Sequence, residues 1–86
     1  MNEEVLRKFD NYVAIAQWFE RKGDQCINKE YYDEAFRWFD RAEEEYKKAY
    51  DLAEKCGDDS KKIEVSTAQS EVERKKEYSY SEGCLM

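Results

Sequence analysis

The most reactive side chains in the sequence are Cys26, Cys56 and Cys84. A thiolate can act as nucleophile or metal ligand once a neighbour lowers its pKa. Such a neighbour is missing. The chain has no His, which removes the commonest acid–base residue and any zinc site that uses it. It has no C-x-x-C pair, and three thiols at wide spacing fall short of a Cys-only site. Cys26 and Cys56 continue apolar rows close to the C-terminal ends of expected helices, where the dipole opposes a thiolate. Both are therefore expected in the core, and Cys84 is expected as an exposed thiol in a polar tail. Acids are plentiful, 21 of 86 residues, but they lie beside Lys and Arg on charged faces and read as solvated surface. The Glu-x-x-His of a di-iron bundle cannot be formed without His, and no phosphate-binding Gly loop is present. No catalytic residue, metal site or cofactor is expected, and the chain does not read as an enzyme.

What the residues do organise is helices. From Tyr31 to Cys56, the residues Ala35, Phe39, Ala42, Tyr46, Ala49, Ala53 and Cys56 recur at alternating steps of four and three. That spacing marks one face of a helix. Flanking rows, Tyr31, Trp38 and Leu52 on one side and Tyr32, Phe36 and Tyr50 on the other, are apolar too. The apolar sector covers roughly half the helix, wider than the ~100° stripe needed for one neighbour. This helix should pack against two others. An earlier row, Val5, Phe9, Tyr12, Ala16, Phe19, Gly23 and Cys26, has the same steps. It predicts a first helix over about 2–27, with Asn2 as N-cap. Gly23, unfavourable inside a helix, is expected to let the second helix come close. Gly57 should end the second helix. A short loop between helices of this length forces an antiparallel hairpin.

Asp58, Asp59 and Ser60 read as the turn and cap of a third helix over about 60–77. Its thin row of Ile63, Val65, Ala68 and Val72 should hold along the first half only. The expected fold is all-α: a long antiparallel hairpin, helices about 2–27 and 31–56, with a shorter third helix completing a three-helix bundle. The domain is expected over 1–78, with 79–86 as a flexible tail. Glu43 with Lys47, Glu44 with Lys48 and Asp51 with Lys55 have the spacing of surface ion pairs.

The net charge of −6 sits mainly on the second helix and on the residues C-terminal to it. It offers no basic stripe for phosphates, so direct nucleic-acid binding is not expected. Membrane binding is not expected either, since no apolar run approaches a transmembrane length. The opening Met-Asn-Glu-Glu lacks the features of a signal peptide, and Cys84 stands third from the last residue where a prenylation signal needs it fourth. The expected setting is the cytoplasm.

Gly23, Ala35, Phe39 and Ala42 stand at the separations of a tetratricopeptide repeat, and the stretch Tyr32-Asp-Glu-Ala-Phe-Arg-Trp-Phe-Asp-Arg-Ala42 is the closest part. The chain resembles a single such hairpin over about residues 16–49. Phe19 stands for the pattern's Trp, Cys26 for its Tyr and Lys47 for its closing Pro, and the second helix runs on to Cys56. In outline, a long hairpin with a third helix is also similar to the microtubule-interacting-and-trafficking type of domain. Both resemblances imply a scaffold that binds another protein's segment in a helical groove.

The functional expectation is thus a small cytoplasmic adaptor or inhibitor that binds a protein partner through aromatic helix faces. Its expected contact residues are Trp18, Tyr31, Tyr32, Phe36 and Trp38. Trp38 is expected under the third helix or the tail; Trp18 is either covered in the same way or an exposed anchor. The loop end of the hairpin should be under-covered by the chain itself, so that a second copy, in a two-fold homodimer, or another protein completes it. The alternative is an acidic mimic of nucleic acid, of the kind viruses use against host defence, acting through Asp33, Asp40, Glu44 and Asp51.

Overall fold

Asn2 opens the first helix by accepting a hydrogen bond from the Val5 N–H at 2.9 Å on its side-chain oxygen. In the computed structural model, which describes residues 1–84 (of Cys84 the backbone only), that helix is α1, Glu3–Asn28. It is followed by α2, Tyr32–Lys55, and α3, Asp59–Cys84. The fold is all-α, with three helices and no strand among the described residues. Helix α2 packs along both neighbours, while α1 and α3 touch little. Lys61 reaches the Phe9 ring and Lys75 reaches Glu20, so α1 and α3 run in the same direction, both antiparallel to α2. The result is a rod of 48 × 17 × 13 Å.

Both helix stops use the same backbone device. After α2, Gly57 takes φ 68°, its N–H bonds the Glu54 carbonyl, and the Asp58 N–H bonds the Ala53 carbonyl. After α1, Glu30 takes φ 64°, its N–H bonds the Ile27 carbonyl, and the Tyr31 N–H bonds that of Cys26. Each is a Schellman stop, a left-handed residue returning two N–H groups to the last turn. Glu30 holds its left-handed conformation without the freedom of glycine. Asp58 then caps α3 by accepting from the Lys61 N–H at 3.0 Å.

The two apolar rows form the core. Phe9, Ala16 and Gly23 from α1 meet Ala35, Phe39, Ala42, Tyr46, Ala49 and Ala53 from α2, all buried. Gly23 has the packing reason its position implies: a Cβ there would stand 2.5 Å from the Phe39 ring.

Four expectations need correction. Helix α3 is not shorter than the others; at 26 residues it equals α1. Nor is it held along its first half alone, because Val65, Val72 and Ser79, seven residues apart, are all buried. Residues 79–84, expected as flexible tail, belong to it, whereas Leu85 and Met86 lie outside the described residues. Cys56 is exposed rather than core, since the chain has already left the helix at the Schellman turn.

Cys26 is half-buried, and its Sγ stands 4.0 Å from a Glu34 carboxylate oxygen. Burial, then the Glu34 charge, push its thiol pKa up. Cys56 should therefore react with a maleimide in the native protein well before Cys26, read by peptide mass spectrometry at neutral pH. Equal rates would mean that α1 does not shield its thiol as described. The expected fast reaction of Cys84 concerns a side chain outside the described residues.

Candidate functional site

The five aromatics expected to form one contact surface are divided by α2 into two sides and a loop. On the side of α3, Tyr32 packs against Tyr78 at 6.1 Å and Phe36 against Tyr80 at 6.0 Å between ring centroids. Lys76 Nζ also lies over the Phe36 ring at 5.5 Å. The last turns of α3 thus cover the loop end that was expected to need an outside partner. The approach is close: a Cβ on Gly83 would stand 3.0 Å from the Asp33 carboxylate. Tyr31 is exposed in the loop.

On the opposite side of the hairpin, Trp18 and Trp38 meet edge to face at 5.6 Å. Phe19 completes the cluster, 5.8 Å from Trp38. Trp38 is therefore covered by α1, not by the third helix or tail. Trp18 remains 45% exposed and its neighbour one turn away, Ile15, 44%, so α3 leaves an apolar patch open here. Two cations stack on it: Lys22 Nζ lies 5.2 Å from the Trp18 centroid, and the Arg41 guanidinium 5.3 Å from that of Trp38. A groove beside the cluster is lined by Glu34, Arg37, Trp38 and Arg41. These sit at steps of three, one and three, a single stripe of α2.

Charge on the α3 side is arranged differently, and sequence reasoning missed it. Lys75 Nζ bridges Glu20 at 2.8 Å and Asp24 at 3.1 Å on α1. Lys76 Nζ bridges Asp40 at 3.0 Å and Glu43 at 3.2 Å on α2. Glu20 also accepts a hydrogen bond from the Tyr46 hydroxyl at 3.1 Å, so one carboxylate ties all three helices together. Burial, then the Glu20 charge, raise the Tyr46 pKa. Burial lowers those of Lys75 and Lys76, but their hydrogen bonds to carboxylates outweigh it and leave both raised. The only sequence signal was Lys75-Lys76 itself, a pair that ordinarily reads as solvated.

The expected acidic row is not one surface. Asp40 is held by Lys76 and Asp33 faces Gly83, while Glu44 and Asp51 are exposed. The expected four-apart pairs do not form either among the described residues: Lys48 turns to Glu45 at 3.1 Å, and Glu43 to Lys76. Among the described residues, no group of three or more His, Cys, Asp or Glu could hold a metal ion. No described helix is long and apolar enough to cross a membrane. A groove of about 430 Å³ between α2 and α3 is lined by Tyr50, Asp59, Lys62, Ile63, Ser66 and Thr67. Its Thr67 hydroxyl donates to the Ile63 carbonyl at 2.9 Å. No family model matches the chain, and comparison with curated proteins and with solved structures returns no match.

Proposed function

We propose that the chain is a non-enzymatic protein-interaction module of the cytoplasm, an adaptor or inhibitor whose working surface is the hairpin face opposite α3. The observation that carries this reading is the Trp18–Trp38 pair, its Trp18 nearly half exposed, with Lys22 and Arg41 stacked on the two rings. Trp and Arg dominate the energetics of protein interfaces because they bring large area, a rigid shape and directed donors. The two tryptophans are braced by each other, so little side-chain freedom is lost when a partner covers them. The reading agrees with the resemblance to a tetratricopeptide hairpin, which implies a groove for a protein segment. An acidic mimic of nucleic acid would need a row of free carboxylates, and Asp40 is engaged by Lys76.

The test is quantitative capture from the source cells with the tagged wild-type chain and two folded variants, Trp18→Ala and Arg37→Ala. Arg37 is exposed and in no ion pair among the described residues. Its truncation should change stability by no more than about 0.5 kcal/mol. Specific partners should drop out with both variants. An unchanged set of captured proteins would remove this face as the working surface.

A further inference from the structure

The stripe Glu34, Arg37, Trp38 and Arg41 carries charges that no ion pair neutralises among the described residues; Glu34 meets only the weakly donating Cys26 thiol at 4.0 Å, and Arg41 only the Trp38 ring. Every ion pair between helices among the described residues lies on the α3 side or at its turn, through Lys62, Lys75 and Lys76. Glu34, Arg37 and Arg41 make no ion pair among the described residues, although Glu34 and Arg37 are one turn apart on one face. The order of the charges matters. The acid stands toward the start of α2 and the bases toward its end, with Trp38 between them. Glu34 and Arg41 are seven residues apart, about 10.5 Å along the axis.

A stripe with that order is complementary to itself when reversed. We infer that this face is a homodimer interface, in which the α2 helices of two copies cross antiparallel about a two-fold axis level with Arg37 and Trp38. One symmetry operation then brings Glu34 of each copy level with Arg41 of the other, twice. It also sets each Arg37 against the Trp38 ring of the other copy, a cation–π contact. A parallel crossing would put acid on acid and base on base. Stacking on Trp38 already holds the Arg41 guanidinium over the ring at 5.3 Å. A planar guanidinium stacked in this way keeps edge N–H donors for a carboxylate. Trp18 and Ile15 flank the stripe and supply the apolar area, since both are nearly half exposed. A face two helices wide and a few turns long is at the small end for a specific interface, so the dimer should have a micromolar Kd, roughly 1–100 μM.

This inference deepens the interaction-module reading and rests on it. The experiment is sedimentation equilibrium of the intact chain across that concentration range, with charge reversals that test the pairing itself. Wild-type protein should reach dimer at the upper end. Glu34→Arg alone puts two bases against each other at both contacts, and Arg41→Glu alone puts two acids; each should be monomeric. An equimolar mixture of the two single variants should form a one-to-one heterodimer, because every contact is again opposite in sign. The chain carrying both reversals should dimerise with itself. Unchanged helical circular dichroism in each variant separates loss of association from loss of fold. The inference is overturned by wild-type protein that stays monomeric throughout. It is equally overturned by a dimer indifferent to either reversal, or by single variants whose mixture fails to associate. A monomer whose Trp18→Ala form still loses captured partners would remove the two-fold and leave the interaction module in place.

Discussion

Replacing Phe39 by Ala is expected to destabilise the chain by about 3–5 kcal/mol, a large fraction of the stability of a small domain, on the order of 5–15 kcal/mol. Phe39 is completely buried in the first half of α2, and its ring serves both neighbours. On the α1 side it fills the space left by Gly23, and on the α3 side Lys75 lies over it at 5.9 Å. The flanking core positions on α2, Ala35 and Ala42, are too small to fill that space. The same geometry sets the opposite experiment. Gly23→Ala would gain about 1 kcal/mol of helix propensity. Its Cβ, however, would meet three Phe39 ring carbons at 2.5, 2.7 and 2.8 Å. The ring is enclosed, so overpacking of about 1–3 kcal/mol should prevail and the variant should be less stable. In a Phe39→Leu background the obstruction is smaller, and Gly23→Ala should become neutral or stabilising. Urea denaturation of the four proteins measures the coupling. Gly23→Ala that stabilises the wild-type chain would show that the helices can part there without loss.

The hairpin was legible because its information is local. Two rows with steps of four and three fix two helices, their shared face and the close approach at Gly23, whatever surrounds them. The first stop was less legible. Glu30 does at the end of α1 what Gly57 does at the end of α2, yet nothing in a glutamate marks a left-handed position; the two returning N–H bonds impose it. Helix α3 was misread for a different reason. Its buried row has a step of seven and ends in Ser79, whose hydroxyl is satisfied by the Lys75 carbonyl at 2.9 Å. Ile63, the most apolar residue near its start, is 68% exposed, because it cannot share a face with Val65. The Tyr-Ser-Tyr-Ser alternation hides a helix whose tyrosines straddle α2. The pairing of Trp18 with Trp38 depends on how two helices are placed side by side, which no single-helix pattern carries. The same holds for the stripe from Glu34 to Arg41: its residues are plain in the sequence, but that α3 leaves them uncovered is not.

Reversing both Lys75 and Lys76 to Glu is expected to release α3 while the hairpin stays folded. Helix α3 buries only Val65, Val72 and Ser79 among its described side chains, with Ala68 packed beside them, a small apolar contribution for a helix of this length. Its hold depends on two lysines that bridge four carboxylates on α1 and α2. Lys75 and Glu20 are 28% and 18% exposed, so water screens them only in part. Losing both cations should cost about 2–4 kcal/mol, discounted from a fully buried pair for that exposure. Reversal then adds repulsion from Glu20, Asp24, Asp40 and Glu43. Amides of 59–84 should lose hydrogen-exchange protection, while those of the α1 and α2 core rows keep it, because Phe9, Phe39 and the alanines still pack. The pH dependence comes from the same groups. Lys75 and Lys76 have folded pKa values raised above ordinary, so the stability they contribute is complete below about pH 10.4, the unfolded lysine value. It declines as pH rises through the folded values. Tyr46, also raised, acts in the same direction from about pH 10, since its neutral phenol is the form that donates to Glu20. Thermal melting should therefore hold from about pH 8 to about 10 and fall above it, and the charge-reversed protein should lose the lysine part of that decline. Full protection of 59–84 in the reversed variant would place the hold of α3 in its apolar and aromatic contacts, Val65, Val72 and the Tyr78 and Tyr80 rings, with the two lysines as bystanders.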